Sequence, residues 1–275
     1  MYDNTCKYLV EAFASDFAEW LLGRATPLTT IEPSELTAQP IRADSVIFLQ
    51  SDNEILHIEF QTKTDHSIPF RMLNYWIRLY DKYPHKTIHQ AVIYLCKTNS
   101  PLVYQDRFQG EQTNHQFRVV RLWEESTERF LESSPGLLPL AIMTNTDEPE
   151  TTLRQVAQRI EAMPDSKLKK DLVIHSFVIA GLRLEDRIVQ SILRSDIMKE
   201  SSTYQMLRRE AMAEGLSIGI QQGIQQGIQQ GIQQGIQQGN LSNKLETARK
   251  MLQRGFDKQL IAEITDLSLE QIENL

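Results

Sequence analysis

Apolar and polar positions alternate most sharply between Arg42 and Tyr83. There RADSVIFLQSDNEILHIEFQTK sets two runs rich in β-branched and large apolar residues on either side of the polar cluster Ser51-Asp52-Asn53-Glu54. Such a pattern predicts a β-hairpin. With Asp52-Asn53 as a two-residue turn, Val46 lies opposite Glu59 and Asp44 opposite Gln61. Side chains alternate faces along a strand and cross-strand partners share one. Ser45, Ile47, Leu49, Leu56, Ile58 and Phe60 therefore form a core face. Asp44, Val46, Phe48, Ile55, His57, Glu59, Gln61 and Lys63 form the other, with its charged members at the end away from the turn. A slip of one residue would send Asp44 and Glu59 to opposite faces.

Helical spacing governs most of the rest. Residues 2–22 predict an amphipathic helix through Tyr8, Leu9, Phe13, Phe17, Trp20 and Leu21, ended by Gly23 and Pro27. Residues 28–40, with Pro33 and Pro40, read as a connector with room for a short strand at Ser34–Thr37. From Pro69 to Tyr83 the helical pattern returns, with Pro69 in the first turn and Pro84 beyond the end. Phe70, Leu73, Trp76, Ile77 and Tyr80 are expected on one face, and Arg71, Tyr75, Arg78 and Lys82 in a basic stripe on another. Gln90–Cys96 and Gln116–Trp123 predict strands, the first so apolar that it belongs at the centre of a sheet. Residues 137–143 are ambiguous between strand and loop, because Pro139 cannot donate to a ladder. After Pro149 the spacing predicts helices at 151–163, 167–182, 185–199 and 202–214.

Five perfect GIQQ units then run from Gly219 to Gln238, closed by Gly239 and preceded by the degenerate copy Gly215-Leu216-Ser217-Ile218. In a helix this four-residue period makes the isoleucine row drift by about 40° per repeat, which favours right-handed supercoiling. Each glycine costs about 1 kcal/mol relative to alanine. Two readings stay open: a self-associating helix with isoleucine packed on isoleucine, or a flexible spacer. The tail, Leu241–Leu275, predicts a helix ending near Gly255, a second helix, a turn at Thr265-Asp266-Leu267-Ser268 and a third helix capped by Ser268. It has the outline of a helix-turn-helix. Its last helix carries Glu270 and Glu273 and no Lys or Arg, so a structural or oligomerisation role is the expectation.

The 275 residues suffice for one substantial domain with appendages, and 41% hydrophobic with 24% charged residues is ordinary for a globular protein. Cys6 and Cys96 provide neither a disulfide framework nor a zinc pattern. No apolar run is long enough for a signal peptide or membrane span, which predicts a cytoplasmic protein without membrane contact. A net charge of −7 argues against nucleic-acid binding by the surface as a whole. Between Lys63 and Lys97, however, six Lys or Arg stand against two Asp, a local balance of +4 beside the two carboxylates.

As diagonal neighbours on one face, Asp44 and Glu59 would have Cβ atoms roughly 7 Å apart or less. Two carboxylates at that separation can share a hard divalent cation. Gln61, two residues beyond Glu59 on the same face, is placed to touch a water or a phosphate. The plainer reading leaves both acids on a solvated sheet edge. His57 reads as a satisfied sheet histidine rather than a ligand, Lys63 as a nearby positive charge, and the Arg71, Tyr75 and Arg78 stripe as either a phosphate contact or a solvated face. No GxSxG, activated cysteine, P-loop or GxGxxG is present.

The run ADSVIFLQSDNEILHIEFQTKTDHSIPFRMLNYWIRLYDKYP followed by HQAVIYL resembles the Rpn group of recombination-promoting nucleases and transposase-like proteins, within the PD-(D/E)XK nuclease superfamily. The resemblance covers roughly residues 5–125, and the GIQQ array and the ending ITDLSLEQIENL resemble the C-terminal region of such proteins. It implies an α/β fold with a mixed central sheet flanked by helices (a restriction-endonuclease-like PD-(D/E)XK core) and an α-helical C-terminal region. It also implies DNA as substrate and Mg²⁺ or Mn²⁺ as cofactor. Asp44 matches the metal-binding acid, Glu59 the second acid, and Gln61 the position usually held by lysine. A neutral amide cannot supply the lysine's charge, for which Lys63 or Arg71 could compensate. The superfamily often adds a first-helix acid, for which Glu11, Asp16 and Glu19 are the candidates.

These observations predict a nuclease-like domain at 1–145, a helical extension at 146–214, the GIQQ segment at 215–239 as an oligomerisation element or spacer, and a small helical tail at 240–275. The expected activity is metal-dependent DNA endonuclease, linked to recombination: Asp44, Glu59 and Gln61 catalytic, Asp44 and Glu59 holding metal, and Lys63, Arg71, Tyr75 and Arg78 on DNA. The expected assembly is a homo-oligomer through the C-terminal helices. The alternative is a catalytically weakened nuclease fold acting as an oligomeric DNA-binding or protein-interaction module.

Overall fold

The computed structural model describes residues 2–31, 46–164, 166–193 and 202–275. Its contacts divide the chain into two units, Met1–Arg209 and Glu210–Leu275.

The first unit is built on a five-stranded mixed sheet of order β1-β2-β3-β4-β7, made of β1 (Thr29–Ile31), β2 (Val46–Gln50), β3 (Glu54–Gln61), β4 (Thr87–Tyr94) and β7 (Arg118–Arg121). β2 and β3 form the expected hairpin in the expected register, with Val46 opposite Glu59 and Phe48 opposite His57. Ser51 closes the turn: its N–H donates to the Glu54 carbonyl at 2.9 Å and its Oγ accepts from the Glu54 N–H at 3.2 Å. Among the described residues only Asp266 is a non-glycine with positive φ, so Asp52-Asn53 turns without the left-handed backbone that Asn-Gly hairpins use. β3 and β4 are parallel, and α3 (Ile68–Lys82) makes the crossover between them. β5 (Arg107–Gln109) and β6 (Asn114–Gln116) form a separate two-stranded ribbon.

One face of the sheet presents Ile47, Leu49, Leu56, Ile58, Phe60, Ala91, Ile93 and Val120 to the main core. That core also takes residues of α1 (Tyr2–Ala12), α2 (Ala14–Leu22), α4 (Thr127–Glu132), α5 (Pro149–Glu161), α6 (Lys167–Ala180) and α7 (Asp186–Ile192). The single helix expected over 2–22 is two, broken at Phe13, whose backbone leaves the helical region. The boundary expected at 145/146 falls inside this unit, because Leu153, Val156 and Leu172 belong to the same core as the strands. Residues Pro135–Met143 are neither strand nor loop. They wind in successive 3₁₀ turns, and Leu138, Leu140 and Ala141 are fully buried.

The opposite face lies beneath α3. The helix buries Ile68, Met72, Tyr75 and Leu79, while Phe70, Ile77 and Tyr80 stay about half exposed or more. The apolar face expected from Phe70, Leu73, Trp76, Ile77 and Tyr80 is thus not the buried one, and Tyr75 points inward rather than along a basic stripe. Apolar content alone does not set which stripe is buried. What decides the orientation is fit against the sheet, where Tyr75 and Leu79 meet Val46, Phe48 and Ile55, and Ile68 and Met72 meet Val92 and Tyr94.

In the second unit, α8 (Ser202–Gln253) crosses the division and carries the GIQQ array as continuous helix. Its isoleucines Ile220, Ile224, Ile228, Ile232 and Ile236 are all exposed, and a Cβ added at any of its glycines would meet nothing within 4 Å. The end of α8, α9 (Lys258–Thr265) and α10 (Leu269–Glu273) enclose a small core of Ala248, Ile261, Leu267 and Ile272. Ser268 caps α10 as expected, in a reciprocal capping box with Gln271. Among the described residues, no helix is long and apolar enough to cross a membrane.

Phe17 is fully buried and meets Trp20 and Phe60 edge-on at 6.0 and 6.3 Å. Phe17→Ala should therefore lower the unfolding free energy of the first unit by about 3–5 kcal/mol, read from urea unfolding followed by tryptophan fluorescence.

Candidate nuclease site

Glu59 lies on the sheet's central strand, between Val46 of β2 and Val92 of β4, and its side chain is fully buried. A lone carboxylate there would be prohibitively desolvated. Arg71, from the first turns of α3, supplies the counter-charge. Its Nη2 donates to Oε2 at 2.6 Å, and its Nε lies 3.2 and 3.3 Å from Oε2 and Oε1. The third nitrogen, Nη1, donates to Asp65 Oδ2 at 3.0 Å. Gln61 Nε2 donates to Glu59 Oε2 at 3.3 Å. Burial pushes the Glu59 carboxyl above its ordinary range, opposed by the Arg71 hydrogen bonds and charge. The Ser67 hydrogen bonds, assisted by the Arg71 charge, hold Asp65 below its own.

A second polar chain meets the same carboxylate from behind. Gln90, opposite His57 across the β3–β4 ladder, donates its amide hydrogens to His57 Nδ1 at 2.8 Å and to the Met72 carbonyl at 2.9 Å. Its oxygen accepts from His115 Nε2 at 2.6 Å. With Nδ1 accepting, neutral His57 carries its proton on Nε2, which has no hydrogen-bond partner and faces Glu59 Oε1 at 3.8 Å. His57 is thus satisfied on one nitrogen only. The sequence offered one signal for this network, a polar Gln90 inside an otherwise apolar interior strand. Asp65 gave none, because its importance depends on where α3 sets Arg71.

The remaining expected residues are spread out. Asp44 lies outside the described residues. Lys63 is exposed and follows the end of β3. Tyr75 is buried against His57 and Phe48, ring centroids 5.1 and 5.8 Å away. Arg78, two turns beyond Arg71, donates from Nε to Asn74 at 3.1 Å. The first-helix acids are not brought to Glu59, since α1 and α2 pack on the other face of the sheet. Glu11 pairs with Lys7 at 3.8 Å. Asp16 and Glu19 line a separate cavity with Trp20, Arg129 and Glu132, where Asp16 accepts the Gly136 N–H at 2.9 Å. No group of three or more His, Cys, Asp or Glu that could hold a metal occurs among the described residues.

A mixed sheet flanked by helices, with a buried acid two residues before an amide on its central strand, is consistent with a nuclease-like fold. Residues 242–275 match the model described as the Rpn/YhgA-like nuclease family, C-terminal HTH domain, and that match supports assigning the chain to the Rpn family. No curated protein and no solved structure matches the chain. The tail, whose sequence has the outline of a helix-turn-helix, is such a domain by class.

Burial lowers the pKa of His57 to about 3 and that of His175, on α6, to about 4. Both are neutral when folded but take up protons when unfolded near pH 6.5, so unfolding is favoured as pH falls below that value. Unfolding free energy should be level above pH 7 and decline from pH 6.5 toward 4. Urea titrations across this range check it, and His175→Gln should flatten part of the decline.

Proposed function

We propose that this chain is a divalent-metal-dependent DNA endonuclease acting in recombination, with Asp44 and Glu59 holding Mg²⁺ or Mn²⁺. The observation that carries the reading is Glu59, an acid buried on the central strand in the register that the motif needs, with Gln61 hydrogen-bonded to it. The donors present suit a hard cation: the oxygens of Glu59 and Asp65 already converge on one positive group, the Arg71 guanidinium. A bound divalent ion polarises a phosphoryl oxygen and lowers the pKa of a water. Gln61 orients that water or the phosphate through its amide. Lys63, Arg71 and Arg78 hold the DNA backbone, and Tyr75 supports α3 from beneath instead of touching DNA. The helix-turn-helix unit engages DNA through the exposed Arg249 and Arg254 rather than through the acidic α10. Purified protein with Mg²⁺ should nick supercoiled plasmid, and Asp44→Ala or Glu59→Ala should slow it roughly a hundredfold or more. Equal rates in all three would refute the assignment.

A second reading, a weakened nuclease fold that binds without cutting, draws support from the neutral Gln61 and from the Arg71 ion pair that closes Glu59. Salt-dependent DNA binding with no cleavage would mark it.

The same reading makes the chain a homo-oligomer through α8. A helix with glycine at every fourth position and its isoleucines exposed gains stability when a second copy covers that row. Ile224, Ile228 and Ile232 replaced together by serine should give a monomer in sedimentation equilibrium. A wild-type chain that is monomeric at every concentration would remove the oligomer.

A further inference from the structure

Arg71 occupies the place where a cation would approach Glu59. Its guanidinium spends Nε and Nη2 on the buried carboxylate and Nη1 on Asp65, so it bridges an acid with no solvent exposure to one about a third exposed. The Arg71 side chain is itself about a third exposed, which puts the guanidinium on the route from solvent to Glu59. The Oε2 atom that Nη2 holds at 2.6 Å is an oxygen a metal would need. Behind it, Oε1 lies 3.3 Å from Arg71 Nε and 3.8 Å from His57 Nε2, and with His57 Nδ1 accepting from Gln90 this leaves Arg71 as the sole full positive charge on this carboxylate among the described residues.

We propose that Arg71 is a built-in counter-cation of Glu59 that a divalent ion must displace, with Asp65 retaining the guanidinium once Glu59 is taken. This rests on the metal-dependent reading above and adds a competition to it. In the metal-free protein the guanidinium occupies the buried acid and keeps the site closed. Divalent ion at Glu59 and guanidinium at Glu59 exclude one another, so metal affinity reports the strength of the Arg71 fork. Asp65 keeps Arg71 at the mouth of the site, where its freed nitrogens face the solvent side from which a phosphate would arrive.

The test is Mn²⁺ binding to the full chain, read from the electron paramagnetic resonance signal of free Mn²⁺. Removing a charge-assisted contact of this kind should tighten binding roughly ten- to a hundredfold in Arg71→Gln. Arg71→Lys keeps the charge but loses the planar fork, and should tighten it by less. Arg71→Lys also serves if Arg71→Gln leaves Glu59 too poorly compensated to fold. Lys82→Gln removes a charge from the same helix without touching Glu59 and should leave the affinity within twofold. Unchanged or weaker binding in both Arg71 variants, with Glu59→Gln still abolishing it, overturns the competition and leaves the nuclease reading standing. Absence of saturable Mn²⁺ binding in every variant, or its persistence in Glu59→Gln, overturns both.

Discussion

A carboxylate buried on the central strand is the constraint around which the first unit is arranged. Glu59 has strands on both sides and α3 above it, and the counter-charge the protein gives it is Arg71. Arg71 does so only because the crossover from β3 to β4 sets the start of α3 over the end of β3. Pro69 in the first turn, Ser67 bound to Asp65 and the apolar anchors Ile68 and Met72 fix that placement. The apolar packing under α3 and the ion pair therefore support each other. If the helix turned to bury Phe70 and Ile77, Arg71 would leave Glu59 and strand a buried charge, a change that costs several kcal/mol.

That coupling also explains the polar residues in an otherwise apolar layer. Gln90 is fully used, with two donors and one acceptor committed, and it fixes the tautomer of His57. His57 then presents its one free donor toward Glu59. A buried network whose only unsatisfied atom faces Glu59 differs from ordinary core packing, in which each polar group finds its partner. The same physics operates at Asp16, where a carboxylate tied to the Gly136 backbone holds the 3₁₀ segment against α2. The two acids thus have different partners, set by the face of the sheet on which each lies.

The second unit follows a different logic. Its three-helix end is held by a small apolar core and by caps that can be read locally. The GIQQ helix has no such core: between Glu214 and Lys244 it carries no charged side chain, and its apolar row is exposed. Local sequence specifies its period but not what covers it.

The chain's own pattern determined the hairpin, its register and hence the pairing of Val46 with Glu59, because a period-two alternation around a two-residue turn leaves one solution. It likewise determined that β4 is an interior strand, the end of α8 near Gly255 and the Ser268 cap, all of which depend on neighbours a few residues away. Only the tertiary structure decided which stripe of α3 is buried, that Tyr75 belongs to the interior, that Pro135–Met143 winds as 3₁₀ turns, and that Asp16 and Glu19 lie across the sheet from Glu59. It also decided that Arg71 is spent on Glu59 and Asp65. Each of these depends on contacts between elements distant in sequence, where fit against a particular surface outweighs composition and the energy of a charge is set by what surrounds it.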